Sequence, residues 1–224
     1  LAVQAAEVLR EVSGCDRGVK IELEKRIPWD AGLGGGSSDA AAALLALNRL
    51  WELGLATSDL VSLAARLGSD VPFFVPGGTA LVEGRGEEVT PLPASSPRWF
   101  VLLLPPLTKP PRKTHQLYSR LDARHFTGGE LAARAAEACS QGKPVSASML
   151  FNVFDEVAFD AFPGLEEFWK RFQQTGALDV HVAGSGPALF APVDGEAEAE
   201  ALHGRLRQQG LEACSVSTVT PEVA

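Results

Sequence analysis

Cysteine is scarce in this chain, and its placement excludes more than its number does. Cys15, Cys139 and Cys214 are odd in count and share no C-x-x-C spacing, which argues against a disulfide framework and against a zinc site. A reducing cytoplasm suits such a sequence. Long apolar runs are lacking too. No stretch approaches the roughly eighteen consecutive apolar residues of a membrane-spanning helix, and no basic region followed by an apolar one opens the chain. Clustered lysine and arginine are missing and the formal net charge is −8, so neither nucleic acid nor an anionic membrane is the expected partner. The 4 histidines have no metal-ligand spacing, and no metal-binding residue is expected. Internal repeats and low-complexity tracts are absent. A small-molecule ligand is the partner class that remains.

What the chain does have is a glycine run set directly against an alanine-rich helical stretch: Gly32-Leu33-Gly34-Gly35-Gly36-Ser37-Ser38-Asp39, then Ala40-Ala41-Ala42-Ala43-Leu44-Leu45. The first turn of a helix leaves backbone N–H groups unpartnered and is partly positive, so an anion is favoured there. Glycine adds access, because a backbone without Cβ approaches phosphate oxygens closely. A helix capped by Ser37 or Ser38 would explain one serine but not the glycines. No lysine follows them, as a P-loop requires, and Ser37 stands where G-x-G-x-x-G needs its third glycine. The G-x-S-x-G nucleophile elbow is absent as well.

Periodicity organises the rest. Val3, Ala6, Val8 and Leu9 fit a helix that ends near Ser13 with Gly14 as its cap. That helical register from Leu1 onward suggests that the chain begins inside a fold. Val19, Ile21 and Leu23 alternate with Lys20, Glu22 and Glu24 as in a half-buried strand, which Pro28 would end. A helix over 38–53 presents Leu44, Leu47 and Trp51 on one face and closes at Gly54, and another helix covers 57–67. Residues 71–75 read as a short apolar strand, and 79–82 as a strand within hairpin structure. Pro91, Pro93, Ser95, Ser96 and Pro97 mark a boundary between domains 1–93 and 94–224. Beyond it, strands are expected at 99–104, 178–182, 188–193 and 212–218, with helices at 114–122, 127–140, 146–161, 165–175 and 196–209. Helices and strands mix without strict alternation, which favours an α+β fold of two lobes over a doubly wound sheet.

Three further features could carry chemistry. Asp70 lies between a glycine-led turn and an apolar segment, and Pro72 biases Val71 toward extended backbone, so its carboxylate could orient or deprotonate a hydroxyl. An ordinary turn aspartate reads the same way. Gly184-Ser185-Gly186 joins two predicted strands and could wall a site or simply turn a hairpin. Lys109, Arg112 and Lys113 form either an anion-attracting loop or, as the composition favours, a solvated basic one.

Together, Lys25-Arg26-Ile27-Pro28 through Ala41, then Gly68-Ser69-Asp70-Val71-Pro72-Phe73-Phe74, then Gly184-Ser185-Gly186-Pro187-Ala188-Leu189-Phe190 resemble the GHMP kinase superfamily in order and spacing. The triple glycine with two serines and the Asp-Val-Pro-Phe-Phe segment are most similar to its branch in isoprenoid precursor synthesis. The likeness runs end to end and includes Phe151-Asn152 and the Val82-Glu83-Gly84-Arg85-Gly86-Glu87 hairpin. It implies an α+β GHMP kinase fold, with a shortened N-terminal lobe like ribosomal protein S5 domain 2 and a ferredoxin-like C-terminal lobe. The implied activity is ATP-dependent phosphorylation of the 2-hydroxyl of CDP-methylerythritol, with Mg²⁺ accompanying ATP, in a bacterial cytoplasm or a plastid stroma. On the same basis Pro28, Trp29, Asp30, Ala31, Gly32, Leu33, Gly34, Gly35, Gly36, Ser37 and Ser38 form the ATP phosphate loop, and Asp70 is the catalytic aspartate. Tyr118 is placed against the cytosine ring, with Thr114, Gly184, Ser185 and Gly186 also toward the substrate. The family's opening strand and hairpin, which carry a catalytic lysine, have no match, so this stretch by itself is expected to be inactive. Other GHMP kinases of homoserine or mevalonate type, and a noncatalytic nucleotide-binding module, remain as alternatives.

Overall fold

A computed structural model describes residues 1–94 and 96–219; Ser95, in the expected boundary, lies outside the described residues. The described chain divides into two compact units, the first holding Leu1–Trp29 and Gly34–Ala94 and the second Asp30–Leu33 and 96–219.

In the first unit, α1 (Ala2–Ser13), α2 (Gly35–Leu50) and α3 (Thr57–Ala65) share one core. Small side chains set the α1–α2 contact: Ala5 and Leu9 on α1, and Ala40, Ala41 and Leu44 on α2, are buried. Gly14 caps α1 as expected, in the left-handed conformation (φ 66°), its N–H donating to Arg10 O. Helix α2 begins at Gly35, three residues before the expected start, with Gly34 as N-cap. Two glycines in a first turn cost up to about 1 kcal/mol each relative to alanine. Burial of Leu44, Leu47 and Trp51, each contributing about 1.5–3 kcal/mol, outweighs that cost. Helix α3 stops short of Leu67, whose N–H bonds to Ala64 O in a closing turn.

Three expectations, for 19–24, for 71–75 and for Pro91, fail in this unit. Among the described residues no strand forms over 19–24, where Val19, Ile21 and Leu23 are exposed. Alternation fixes which side chains share a face, but a strand also needs a neighbour for its N–H and C=O groups, and no described segment pairs with it. The apolar run after Asp70 is a 3₁₀ turn (Pro72–Phe74) rather than a strand, and Val71 is helical (φ −65°, ψ −39°) despite the following proline. Val71 is fully buried, and its carbonyl accepts the Phe74 N–H, so packing and the turn bond override the local preference. Strands β1 (Thr79–Glu83) and β2 (Glu88–Leu92) then form an antiparallel hairpin. Pro91, expected in a linker, sits within β2 opposite Ala80; in a two-stranded sheet each strand keeps an open edge that needs no donor.

The second unit is built on a four-stranded antiparallel sheet of β3 (Trp99–Leu103), β4 (His181–Val182), β5 (Leu189–Val193) and β6 (Ala213–Ser217), in the order β4-β5-β3-β6. The first strand of the set lies centrally, between the third and the fourth, which is the ferredoxin-like arrangement. Val101 and Leu103 of β3 and Leu189 and Ala191 of β5 alternate into the core. There they meet Leu165 and Phe172 of α7 (Leu165–Gln174) and Leu202 and Leu206 of α8 (Glu196–Gln208). Between β3 and β4 also lie α4 (Lys113–Tyr118) and α5 (Glu130–Ser140). The helix expected over 146–161 is broken into a turn at Ala147–Met149, another at Val153–Glu156 and the short α6 (Ala158–Ala161). Side chains cause the break. Asn152 Oδ1 accepts the Phe154 N–H while its Nδ2 donates to Val182 O and Gly184 O, both at 2.8 Å. Asp155 accepts the Val182 N–H at 2.7 Å and contacts His181 Nδ1 at 2.8 Å. Such side-chain bonds divert the backbone from a continuous helix.

Truncating Phe172 to alanine is expected to lower unfolding free energy by about 3–5 kcal/mol. Leu23→Ala, at an exposed position outside any strand, should change it by less than about 0.5 kcal/mol. Urea unfolding followed by circular dichroism measures both, and a large loss at Leu23 would contradict the description of 19–24.

Candidate functional site

The predicted phosphate loop does not stay together as one piece. Pro28 and Trp29 are exposed in the first unit, Asp30, Ala31, Gly32 and Leu33 belong to the second, and Gly34 returns to the first as the N-cap of α2.

The start of α2 has the features an anion requires. Its first backbone bond runs from the Ser38 N–H to Gly34 O at 2.9 Å, so Gly35, Gly36 and Ser37 occupy the turn whose N–H groups a helix cannot satisfy itself. Neither serine caps the helix; Ser38 Oγ donates to Gly35 O. Glycine is required at position 34, where φ is 68° and a Cβ would lie 2.8 Å from Phe74 Cζ. Lys25 pairs with Asp39 one turn into the helix.

Phe74 belongs to the turn that follows Asp70, so the segment carrying the aspartate packs on the beginning of α2. Asp70 itself is exposed, and no described residue engages its carboxylate. The turn ahead of it is backed by the β1–β2 hairpin: a Cβ at Gly86 would come within 1.9 Å of Ser69 O. Within that hairpin turn, its own N–H and that of Arg85 hold the Glu87 carboxyl below the usual carboxylate range.

In the second unit, residues 30–33 lie backbone to backbone against the Gly184-Ser185-Gly186 turn. A Cβ on Gly32, where φ is 84°, would sit 2.0 Å from Ala183 O and 2.7 Å from Gly186 N. Ala188 N–H donates to Ala31 O at 3.2 Å, and Ala31, Ala183 and Ala188 form a small buried cluster beneath. Thr114 Oγ1 is 3.0 Å from Ser185 Oγ, so two of the expected substrate residues touch. Tyr118, at the other end of α4, is 61% exposed and in T-shaped contact with Phe154, with ring centroids 5.0 Å apart.

Lys113 corrects the sequence reading most sharply. Expected in a solvated loop, it is 5% exposed, and its ammonium reaches Gly186 O, Ser185 Oγ and Ser185 O. Burial pushes its pKa below the ordinary lysine value, and Asp30, 3.4 Å away, opposes that shift. Nothing local distinguished it from Lys109 and Arg112; only the side chain's path toward a turn some seventy residues later does. In the sequence Asn152 stands out only through the resemblance, and no local signal points to its two bonds, to Val182 O and Gly184 O.

Known proteins resemble this chain in sequence and fold. The family model described as GHMP kinases N terminal domain matches residues 1–78, and the one described as GHMP kinases C terminal matches 131–211. The chain belongs to the GHMP kinase family. A 4-diphosphocytidyl-2-C-methyl-D-erythritol kinase of Dehalococcoides mccartyi is 45% identical over 221 residues, 99% of this chain and 78% of that protein. The enzyme of that name from Symbiobacterium thermophilum is 41% identical, across 98% of this chain and 77% of its own length. A crystal structure of 4-(cytidine 5'-diphospho)-2C-methyl-D-erythritol kinase superposes with a TM-score of 0.78 at 36% identity, covering 96% of this chain and 76% of that one. A homoserine kinase from Cytophaga hutchinsonii, at 18% identity and a TM-score of 0.74, shares the fold.

Two general features accompany this GHMP kinase assignment. No described helix is long and apolar enough to cross a membrane. Among the described residues no group of three or more His, Cys, Asp or Glu side chains is arranged to hold a metal ion.

Gly32→Ala tests the backbone contact. A left-handed non-glycine residue costs about 1–2 kcal/mol before any clash, so the substitution is expected to lose at least about 2 kcal/mol. Gly14→Ala, equally left-handed but with open space around its Cβ position, should lose only about 1 kcal/mol. Thermal melting compares them, and equal losses would contradict the close approach.

Proposed function

We propose that this GHMP kinase transfers the γ-phosphate of ATP to the tertiary 2-hydroxyl of 4-(cytidine 5'-diphospho)-2-C-methyl-D-erythritol, giving the 2-phosphate and ADP. The observation that carries this reading is the 45% identity, across 99% of the chain, with a kinase named for that substrate. The three cysteines are free thiols, which suits a reaction in the cytoplasm.

Phosphoryl transfer asks for positioning and charge stabilisation more than covalent help. In this reading the N–H groups at the start of α2, from Gly34 to Ser37, receive the nucleotide phosphates. Asp70, whose carboxylate no described residue engages, orients the substrate hydroxyl and accepts its proton. Tyr118, held by its T-shaped contact with Phe154 and exposed, offers its ring to the cytosine. Thr114 and the Gly184–Gly186 turn line the substrate side. Mg²⁺ brought in with ATP would supply positive charge to the transferring phosphoryl group, held mainly by the nucleotide and not by a dedicated set of protein side chains. We assign residues 1–93 to the N-terminal, ATP-binding domain and 94–224 to the C-terminal domain, with residues 30–33 reaching from the former into the second compact unit.

The test is a substrate panel with ATP on the full-length protein: CDP-methylerythritol, homoserine and mevalonate. Transfer is expected to the first alone, and transfer to either of the others would refute the reading. Asp70→Asn should lower kcat by about 10²–10⁴-fold while leaving ATP affinity within about threefold. Steady-state kinetics and calorimetric titration of an ATP analogue measure the two effects.

A further inference from the structure

Lys113 is a charged group buried at the edge of a turn that belongs to the substrate side, and its hydrogen bonds can be counted. An ammonium has three N–H donors. Three acceptors take them: Gly186 O at 2.6 Å, Ser185 Oγ at 3.0 Å and Ser185 O at 3.3 Å. Asp30 Oδ1 adds a carboxylate at 3.4 Å. No donor is left for a ligand, so Lys113 is not built to hold a phosphate itself. It ties α4 to the Gly184–Gly186 turn and to the 30–33 segment. Asp30, the carboxylate partner, and Arg112, the residue before Lys113, are both held in left-handed backbone, at φ 56° and φ 52°, conformations that persist only where the surroundings over-determine them.

The same count continues through the hydroxyls. Ser185 Oγ accepts from Lys113 and lies 3.0 Å from Thr114 Oγ1. Two hydroxyls carry two protons, and one of these is used between them. If Thr114 donates to Ser185, the Ser185 proton turns outward; if Ser185 donates, the Thr114 proton does. Either way the pair presents one free O–H donor, and the adjacent ammonium makes an anionic oxygen the favoured acceptor.

We propose that Lys113 is a positioning residue for phosphoryl transfer: it fixes the Gly184–Gly186 turn through Ser185 and Gly186, so that the Ser185–Thr114 hydroxyl pair offers one O–H to a phosphate oxygen of the bound substrates. This rests on the kinase reading above. An acceptor that is already negative in the ground state and gains charge in transfer makes geometry at this turn a matter of turnover more than of binding.

The experiment compares the wild-type full-length protein with Lys113→Met and with the Thr114→Val/Ser185→Ala double variant and its two single variants, reading kcat and KM for ATP and for CDP-methylerythritol, with thermal midpoints alongside. Lys113→Met is expected to lower kcat by at least about tenfold and to leave both KM values within about threefold. The double variant is expected to lower kcat by more than the product of its single effects, because either hydroxyl alone still supplies the outward donor. Wild-type kcat in Lys113→Met, or a change confined to KM, overturns the positioning role. Should that variant fail to fold, the double variant decides: a simple product of the single effects overturns the shared donor. A wild-type protein that phosphorylates homoserine or mevalonate instead refutes the substrate assignment, whereas the kcat comparison can still be made on the accepted substrate.

Discussion

The Phe74 ring rests where a side chain at position 34 would have to be, and much of the first unit follows from that contact. Because Gly34 has no Cβ, the turn after Asp70 can pack on the beginning of α2. The helix can then start with glycines whose N–H groups have no side-chain cap. Helix propensity alone would not begin a helix at Gly35-Gly36. Burial of Ala40, Ala41, Leu44 and Leu47 against α1 holds the axis in place, while in the glycine turn Gly36 is exposed, Gly34 is half-buried and Gly35 is buried beside Ile27. The helix is therefore fixed by its later turns and begins with backbone N–H groups that no side chain caps, an arrangement suited to receiving an anion.

The second unit places a charge where the first uses backbone. Removing a lysine from water costs several kcal/mol, and a buried ion is retained only when its partners recover most of that cost. Lys113 has two carbonyls, one hydroxyl and the Asp30 carboxylate as partners, and all of them lie on loops that meet at Gly32 and Gly186. A hydrophobic residue could fill the same volume. What it could not do is hold the 184–186 turn by its carbonyls, and this is why the ammonium reads as a device of position more than of stability.

Features set by local chemistry were readable before any coordinates. Gly14 as a helix cap, the buried face of Leu44, Leu47 and Trp51 and a strand within 188–193 follow from backbone freedom and apolar pattern. Features decided by distant partners were not. Residues 19–24 have the alternation of a strand without a described neighbour to pair with, Val71 is helical because its burial outweighs the following proline, and Asn152 and Asp155 break a helix by bonding to β4. The candidate site divides along the same line. The glycine run, Asp70 and Gly184-Ser185-Gly186 announce themselves as turns of unusual composition, whereas Lys113 is one basic residue among several until its bonds are seen.

The most direct measurement is a crystal structure of the protein with a non-hydrolysable ATP analogue. Phosphate oxygens within hydrogen-bond distance of the backbone N–H groups between Gly34 and Ser38 are the predicted result. A nucleotide whose phosphates lie elsewhere, with that helix end facing only solvent, would contradict the claim that the glycine start of α2 is the anion site.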